Sequence, residues 1–196
     1  DNGASHERDR RAFKQYEPTG KETPGSVMTY ECIGKDWAHV ANTPLKKFKT
    51  TSYEGGVCSP MVVHWPGGIS NKGSWIEEPA HLVDVMATAI ELAGVAYPES
   101  FGGRKAKPLD GISLLPGFSG KPLPERKRPI GYQWGTGKGL RVGKWKLVSQ
   151  GRETDWELYD MQSDRSETRN LASAFPEKVR GLEKAYHDWL AGCRQD

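Results

Sequence analysis

Asp1-Asn2-Gly3 sets a carboxylate beside a side-chain carbonyl, two hard oxygen donors of the kind that calcium and magnesium prefer. The same tripeptide is an ordinary turn former, because Asp and Asn bond their own backbone and Gly accepts positive φ. Further on, Lys49 stands ahead of Tyr53-Glu54-Gly55-Gly56 and the apolar run Pro60-Met61-Val62-Val63-His64-Trp65-Pro66-Gly67-Gly68. A lone lysine is most often solvated. One held where the chain turns into a buried strand can meet an anionic group as a point charge. A metal and a lysine at one point make an oxyanion site, in which both neutralise charge on a substrate.

Other reactive side chains carry weaker signals. His6 and His39 fall in a long loop, where a group titrating near neutrality could bind substrate or move a proton. His64 reads as a satisfied core histidine, and His81 and His187 as helix residues. Cys32, Cys58 and Cys193 form no CxxC pair; one disulfide plus a thiol, or three buried thiols, fit equally. Cys58-Ser59-Pro60 superficially suggests a nucleophile, but no arginine follows to hold an anion, and a small buried hydrophobe is the better reading. Trp37, Trp134 and Trp145 could form a sugar platform, though packing explains them more simply.

The elements that must position these groups follow from pattern. The 196 residues are 36% hydrophobic and 27% charged, with formal net charge +3. Lys and Arg are scattered rather than striped, which argues against nucleic acid. No apolar run approaches the roughly 20 residues of a membrane helix. Residues 1–45 show no sustained periodicity, and the loop over residues 4–40 is expected to shape a pocket rim. Thr43-Pro44 reads as a helix start. Gly55-Gly56 then breaks the chain before a buried strand over residues 57–65. Residues 79–93 repeat apolar side chains at helical spacing (Leu82, Val85, Met86, Ala89, Ile90, Ala93), with Gly94 as the stop. A short helical turn is expected over residues 113–118, and residues 121–128 read as a solvated linker. Short strands follow at 130–134, 139–142, 145–148 and 156–159, close enough to pair antiparallel. Residues 177–190 form an amphipathic helix. Residues 155–160 and 167–171 read as architectural. The expected division is an α/β portion over residues 1–128 and an antiparallel sheet with a covering helix over residues 129–196.

Taken in order, these segments resemble the C-terminal half of the sulfatase family. The matching stretches are Asp1-Asn2-Gly3, Asn42-Thr43-Pro44-Leu45, Lys49 with Tyr53-Glu54-Gly55-Gly56, and the run that begins at Pro60. Leu82-Val83-Asp84, Glu91-Leu92-Ala93-Gly94 and Leu109-Asp110-Gly111-Ile112-Ser113 continue the series. Leu140-Arg141-Val142-Gly143-Lys144-Trp145-Lys146-Leu147, Trp156-Glu157-Leu158-Tyr159-Asp160 and Asn170-Leu171 end it. The resemblance implies the C-terminal part of an alkaline-phosphatase-like α/β/α domain, followed by a four-stranded antiparallel sheet packed by a terminal helix. It implies hydrolysis of aryl or carbohydrate sulfate esters by a formylglycine nucleophile with Ca2+. Asp1 and Asn2 map onto the family's later metal ligands, and Lys49 onto its sulfate-contacting lysine. Periplasmic or extracellular location of the parent enzyme is implied in the same way.

Departures are equally informative. The C/S-x-P-x-R nucleophile motif and the remaining acidic ligands are absent, and belong to the N-terminal half of such enzymes. Cys58 stands where many relatives have another residue, often arginine. An α-amino group on Asp1 would add positive charge beside a cation. The isolated chain is therefore expected to bind calcium weakly and to turn over no sulfate ester. Two other readings compete: a phosphodiesterase or phosphonate hydrolase of the same superfamily, and a non-catalytic carbohydrate- or protein-binding module built on the terminal sheet.

Overall fold

The computed structural model describes residues 3–7, 33–151 and 155–194. Asp1, Asn2, Cys32 and most of the expected rim loop lie outside the described residues. The chain divides into two compact units, one made of Asp1–Pro60 with Gly131–Asp196 and the other of Met61–Ile130.

The first unit is organised by a sheet of order β3-β4-β5-β6, formed by Ile130–Trp134, Gly137–Val142, Trp145–Ser149 and Glu157–Asp160. Strands β4 and β5 pair antiparallel with Leu140 opposite Leu147, and β5 pairs antiparallel with β6 with Leu147 opposite Leu158. Side chains alternate across a strand, so these three leucines share one face. On it lies helix α5, Pro176–Arg194, whose Leu182 and Tyr186 complete the core with Val179, Trp189 and Leu190 packed around them. Gly192 falls inside this helix rather than after it. Trp145 joins the same core and meets Phe175 at 5.5 Å between ring centroids. Trp37 and Trp134 do not pack inward; they are 68% and 69% exposed.

The opposite face of the sheet is covered by the chain that precedes it. Val148 and Tyr159 meet Tyr53 and Met161 in a second buried cluster. Ahead of Tyr53 lies helix α1, Gly34–Asn42, which periodicity does not reveal because only Gly34 and Ala38 are buried. Thr43 ends this helix, and the Thr43-Pro44 peptide is cis. The expected helix start is thus a helix stop, as the disfavoured helical geometry of a residue before proline requires. The expected strand over 57–65 is also absent. Residues Glu54–Val57 form a single turn, α2, with Glu54, Gly55 and Gly56 buried, and residues 58–65 carry no strand. Met61, Val62, Val63 and Trp65 are exposed, and His64 is exposed rather than a core residue.

The second unit holds helix α3 (Val83–Ala93), the hairpin of β1 (Ser100–Phe101) with β2 (Arg104–Lys105), and the turn α4 (Leu115–Phe118). Gly94 closes α3 in the left-handed conformation, as expected of a C-terminal glycine. The helix starts later than its periodicity suggests and buries its polar side. Asp84, Ala87 and Thr88 are buried, whereas Leu82, Val85 and Met86 are 81%, 51% and 57% exposed. Asp84 accepts from the amides of His81 (2.7 Å) and Ile112 (2.9 Å) and is forked by Arg126 at 3.0 and 2.5 Å. Thr88 Oγ1 accepts from the Leu114 amide. Arg126 is therefore a partly buried ion partner of Asp84 and not part of a solvated linker.

Candidate functional site

The chain after Asn2 runs against the loop that carries Lys49. The Gly3 amide donates to the Gly56 carbonyl (3.4 Å), the Ala4 carbonyl accepts from the Lys49 amide (3.1 Å), and the Ala4 amide donates to Asn42 Oδ1 (3.1 Å). Asn42 is the hub, because its Nδ2 also donates to the carbonyls of Gly55 (2.8 Å) and Lys47 (3.0 Å). Contact here is too close for side chains. A Cβ on Gly3 would stand 1.6 Å from the Gly55 oxygen, and one on Gly55 would stand 2.3 Å from the Lys47 oxygen. Gly3 thus serves as a close-approach residue, and Gly55-Gly56 form a packed turn.

Lys49 sits between two residues of strained backbone. Lys47 has φ +67° and Thr50 has φ +74°, conformations that non-glycine residues, and β-branched ones above all, rarely adopt. Its Nζ lies 3.4 Å from Glu7 Oε1, with about a third of the side chain exposed. Glu7 accepts from Ser5 Oγ and then from Lys49, and these hydrogen bonds hold its carboxyl below the usual range. His6 stacks on Phe48 at 4.6 Å, and its buried Nδ1 has no hydrogen-bond partner among the described residues. His39 lies exposed on α1, not in a loop, and among the described residues no hydrogen bond or ring contact joins it to Lys49. Asp1 and Asn2 lie outside the described residues.

Beneath this loop is a charged cluster that sequence pattern does not disclose. Lys146, on the second face of β5, is fully buried between Glu54 and Glu167. Its Nζ donates to Glu54 Oε1 at 2.7 Å and lies 2.9 Å from Glu167 Oε1. Glu167 Oε2 accepts from the Glu54 amide at 2.7 Å. Burial pushes the Glu54 carboxyl up, but the charge and hydrogen bond of Lys146 outweigh it and leave the group below its ordinary range. At Glu167 burial prevails and the carboxyl stays above its ordinary range. Beside them, Glu157 accepts from Tyr53 (2.6 Å), Lys46 (3.3 Å) and Tyr159, while the Lys46 ammonium lies over both phenol rings.

Cys58 is half-buried, not fully, and its Sγ lies 3.5 Å from Arg165 Nη2. Burial and then the Glu54 charge push its thiol up, opposite to the shift that activates a nucleophile. Cys58 and Cys193 are free thiols. Among the described residues no group of three or more His, Cys, Asp or Glu could hold a metal ion. The Asp1 and Asn2 oxygens suit calcium by type but make up only part of its shell of six to eight.

No family model matches the chain. It is 30% identical over 174 residues to an uncharacterized sulfatase of Schizosaccharomyces pombe, a match that covers 86% of the chain and 31% of that protein. Arylsulfatase K of Danio rerio is 30% identical over 84% of the chain and 32% of its own length. N-acetylgalactosamine-6-sulfatase of Canis lupus familiaris is 29% identical over 67% and 24%. Among solved structures, Ps i-CgsB in complex with k-i-k-neocarrahexaose aligns with TM-score 0.65 and 25% identity over 80% of the chain and 34% of its own. The chain is thus a homologue of the sulfatases. It spans about a third of the length of the curated relatives it matches, in their C-terminal portion. No helix of the described residues is long and apolar enough to cross a membrane.

Proposed function

We propose that this chain is the C-terminal part of an enzyme that hydrolyses sulfate esters of carbohydrates, with Lys49 contacting the sulfate. The supporting observation is the lacing of Gly3 and Ala4, which follow Asp1-Asn2 in sequence, to the loop that carries Lys49. Asp1-Asn2 and Lys49 would have no reason to coexist in a binding module. Names of the curated relatives favour sulfatase over phosphodiesterase. A neocarrahexaose in the similar structure favours a saccharide over an aryl ester.

In this reading Lys49 places a fixed positive charge against the sulfuryl oxygens, where charge develops as the ester bond breaks. Glu7 holds the ammonium in place before substrate arrives. His6, stacked on Phe48 in the segment that pairs with the Lys49 loop, is the second candidate for substrate contact. His39, exposed on α1, belongs at most to the rim. Calcium, held in part by Asp1 and Asn2, would supply the second positive charge when bound. The formylglycine nucleophile and remaining ligands come from the N-terminal half. That half is also the proposed cover for Met61, Val62, Trp65 and the apolar side of α3, all exposed here. Export to the periplasm or the extracellular space accompanies this reading.

Release of inorganic sulfate from a sulfated oligosaccharide by the complete protein tests it. Sulfate release is expected from the complete protein and none from the 196-residue chain alone. Phosphate-diester cleavage without sulfate release would replace the reading with its superfamily alternative.

A further inference from the structure

Three non-glycine residues among the described residues have positive φ: Lys47, Thr50 and Glu167. Two flank Lys49 and the third belongs to the ion cluster under the same loop. Strained conformations of this kind cost of order 1–3 kcal/mol each and persist only where the surroundings over-determine them. The surroundings here are the second face of the sheet. Lys146 binds the Glu54 carboxylate, Glu167 binds the Glu54 amide, and both carboxylates close on one ammonium. The turn so fixed passes its hydrogen bonds straight to the site, since the Gly55 amide donates to Lys46 and the Gly56 carbonyl accepts from Gly3. The Tyr132 ring, 5.7 Å from Lys146 Nζ, and Gly139, which abuts Ser52, close the sheet side. An apolar trio could fill this space. A buried ion group of two acids and one base is instead restrictive in geometry: the Lys146 ammonium fixes Glu54 Oε1 and the Glu54 amide fixes Glu167 Oε2, while Glu167 Oε1 is held by the charge of Lys146 alone, without a hydrogen bond.

We infer that Lys146, Glu54 and Glu167 form a positioning device for Lys49, by which the C-terminal sheet sets the place and orientation of the sulfate-binding lysine. None of the three touches substrate. The inference rests on the reading of Lys49 given above.

Lys146→Met alone would strand two buried carboxylates and can unfold the protein. The variant to measure is therefore Glu54→Gln/Lys146→Met/Glu167→Gln in the complete enzyme, which removes the charges and keeps volume and the Glu167 acceptor. In this folded variant the Lys49, Thr51 and Gly55 amides are expected to exchange hydrogen faster than in the parent. Its kcat is expected to fall at least ~10-fold with KM little changed, as a misplaced group costs orders of magnitude in rate. In a Lys49→Ala background the same three substitutions are expected to lower kcat by less than about 2-fold further, since coupled residues are not additive. Parent-like exchange at the three amides, or an equal kcat loss in both backgrounds, would overturn the inference. Should Lys49→Ala itself leave kcat unchanged, the reading of Lys49 has failed, and the exchange rates alone judge the device.

Discussion

Lys146 occupies a strand position that reads as solvent-facing, opposite in parity to the core residue Leu147, yet it is 0% exposed. The alternation is correct; the covering of the second face is what pattern cannot show, because it comes from residues about a hundred positions away. Glu167 hides for the same reason in a turn that looks architectural. Lys49 stands out in the sequence because it precedes Tyr53-Glu54-Gly55-Gly56, a stretch whose glycines are demanded by close backbone approach. Substituting Lys146→Met singly is expected to destabilise the chain by about 3–5 kcal/mol, the usual result of stranding buried charge. The triple neutral variant is expected to lie within about 1–2 kcal/mol of the parent, because buried ion groups give little net stability over neutral replacements. Urea unfolding followed by tryptophan fluorescence measures both.

At the scale of elements, α3 has the apolar periodicity of a core helix but buries Asp84 and Thr88 instead. Its buried side is polar because a carboxylate, an arginine fork and two backbone amides satisfy one another there. Burial pushes the Asp84 carboxyl up, but the Arg126 hydrogen bonds and then the Ile112 and His81 amides hold it below its ordinary range. A lowered folded pKa stabilises above the unfolded value and is lost as pH falls through the folded one. The unit Met61–Ile130 is accordingly expected to lose stability as pH drops below about 4, the ordinary value for aspartate. Asp84→Asn is expected to flatten that dependence, measured by melting temperature from pH 6 to pH 2.5. The exposed side of α3 gives a second test. Val85→Ser/Met86→Ser is expected to leave the melting temperature of the 196-residue chain nearly unchanged while lowering its binding of a hydrophobic dye. In the complete protein the pair is expected to cost about 2–5 kcal/mol, the range for losing buried aliphatic side chains. The terminal sheet and α5 were readable because their cores are local and alternate cleanly. The 57–65 run was misread as a strand because an apolar run signals burial but not the partner that supplies it.

For the whole molecule, the relatives, the fold and the lacing of Gly3 to Lys49 support the same proposal, and the chain spans about a third of the length of those relatives. The two units, Asp1–Pro60 with Gly131–Asp196 and Met61–Ile130, differ in how their apolar faces are covered. The first buries side chains on both faces of its sheet and holds Lys49. The second leaves its apolar side uncovered. The most direct measurement is kcat for sulfate release from a sulfated oligosaccharide by the complete protein and its Lys49→Ala variant. A fall of ~100-fold or more, the loss typical of removing one preorganised charge or donor, with the fold intact by circular dichroism, is the expected result. A kcat for Lys49→Ala equal to that of the parent would contradict the assignment of this loop to the active site.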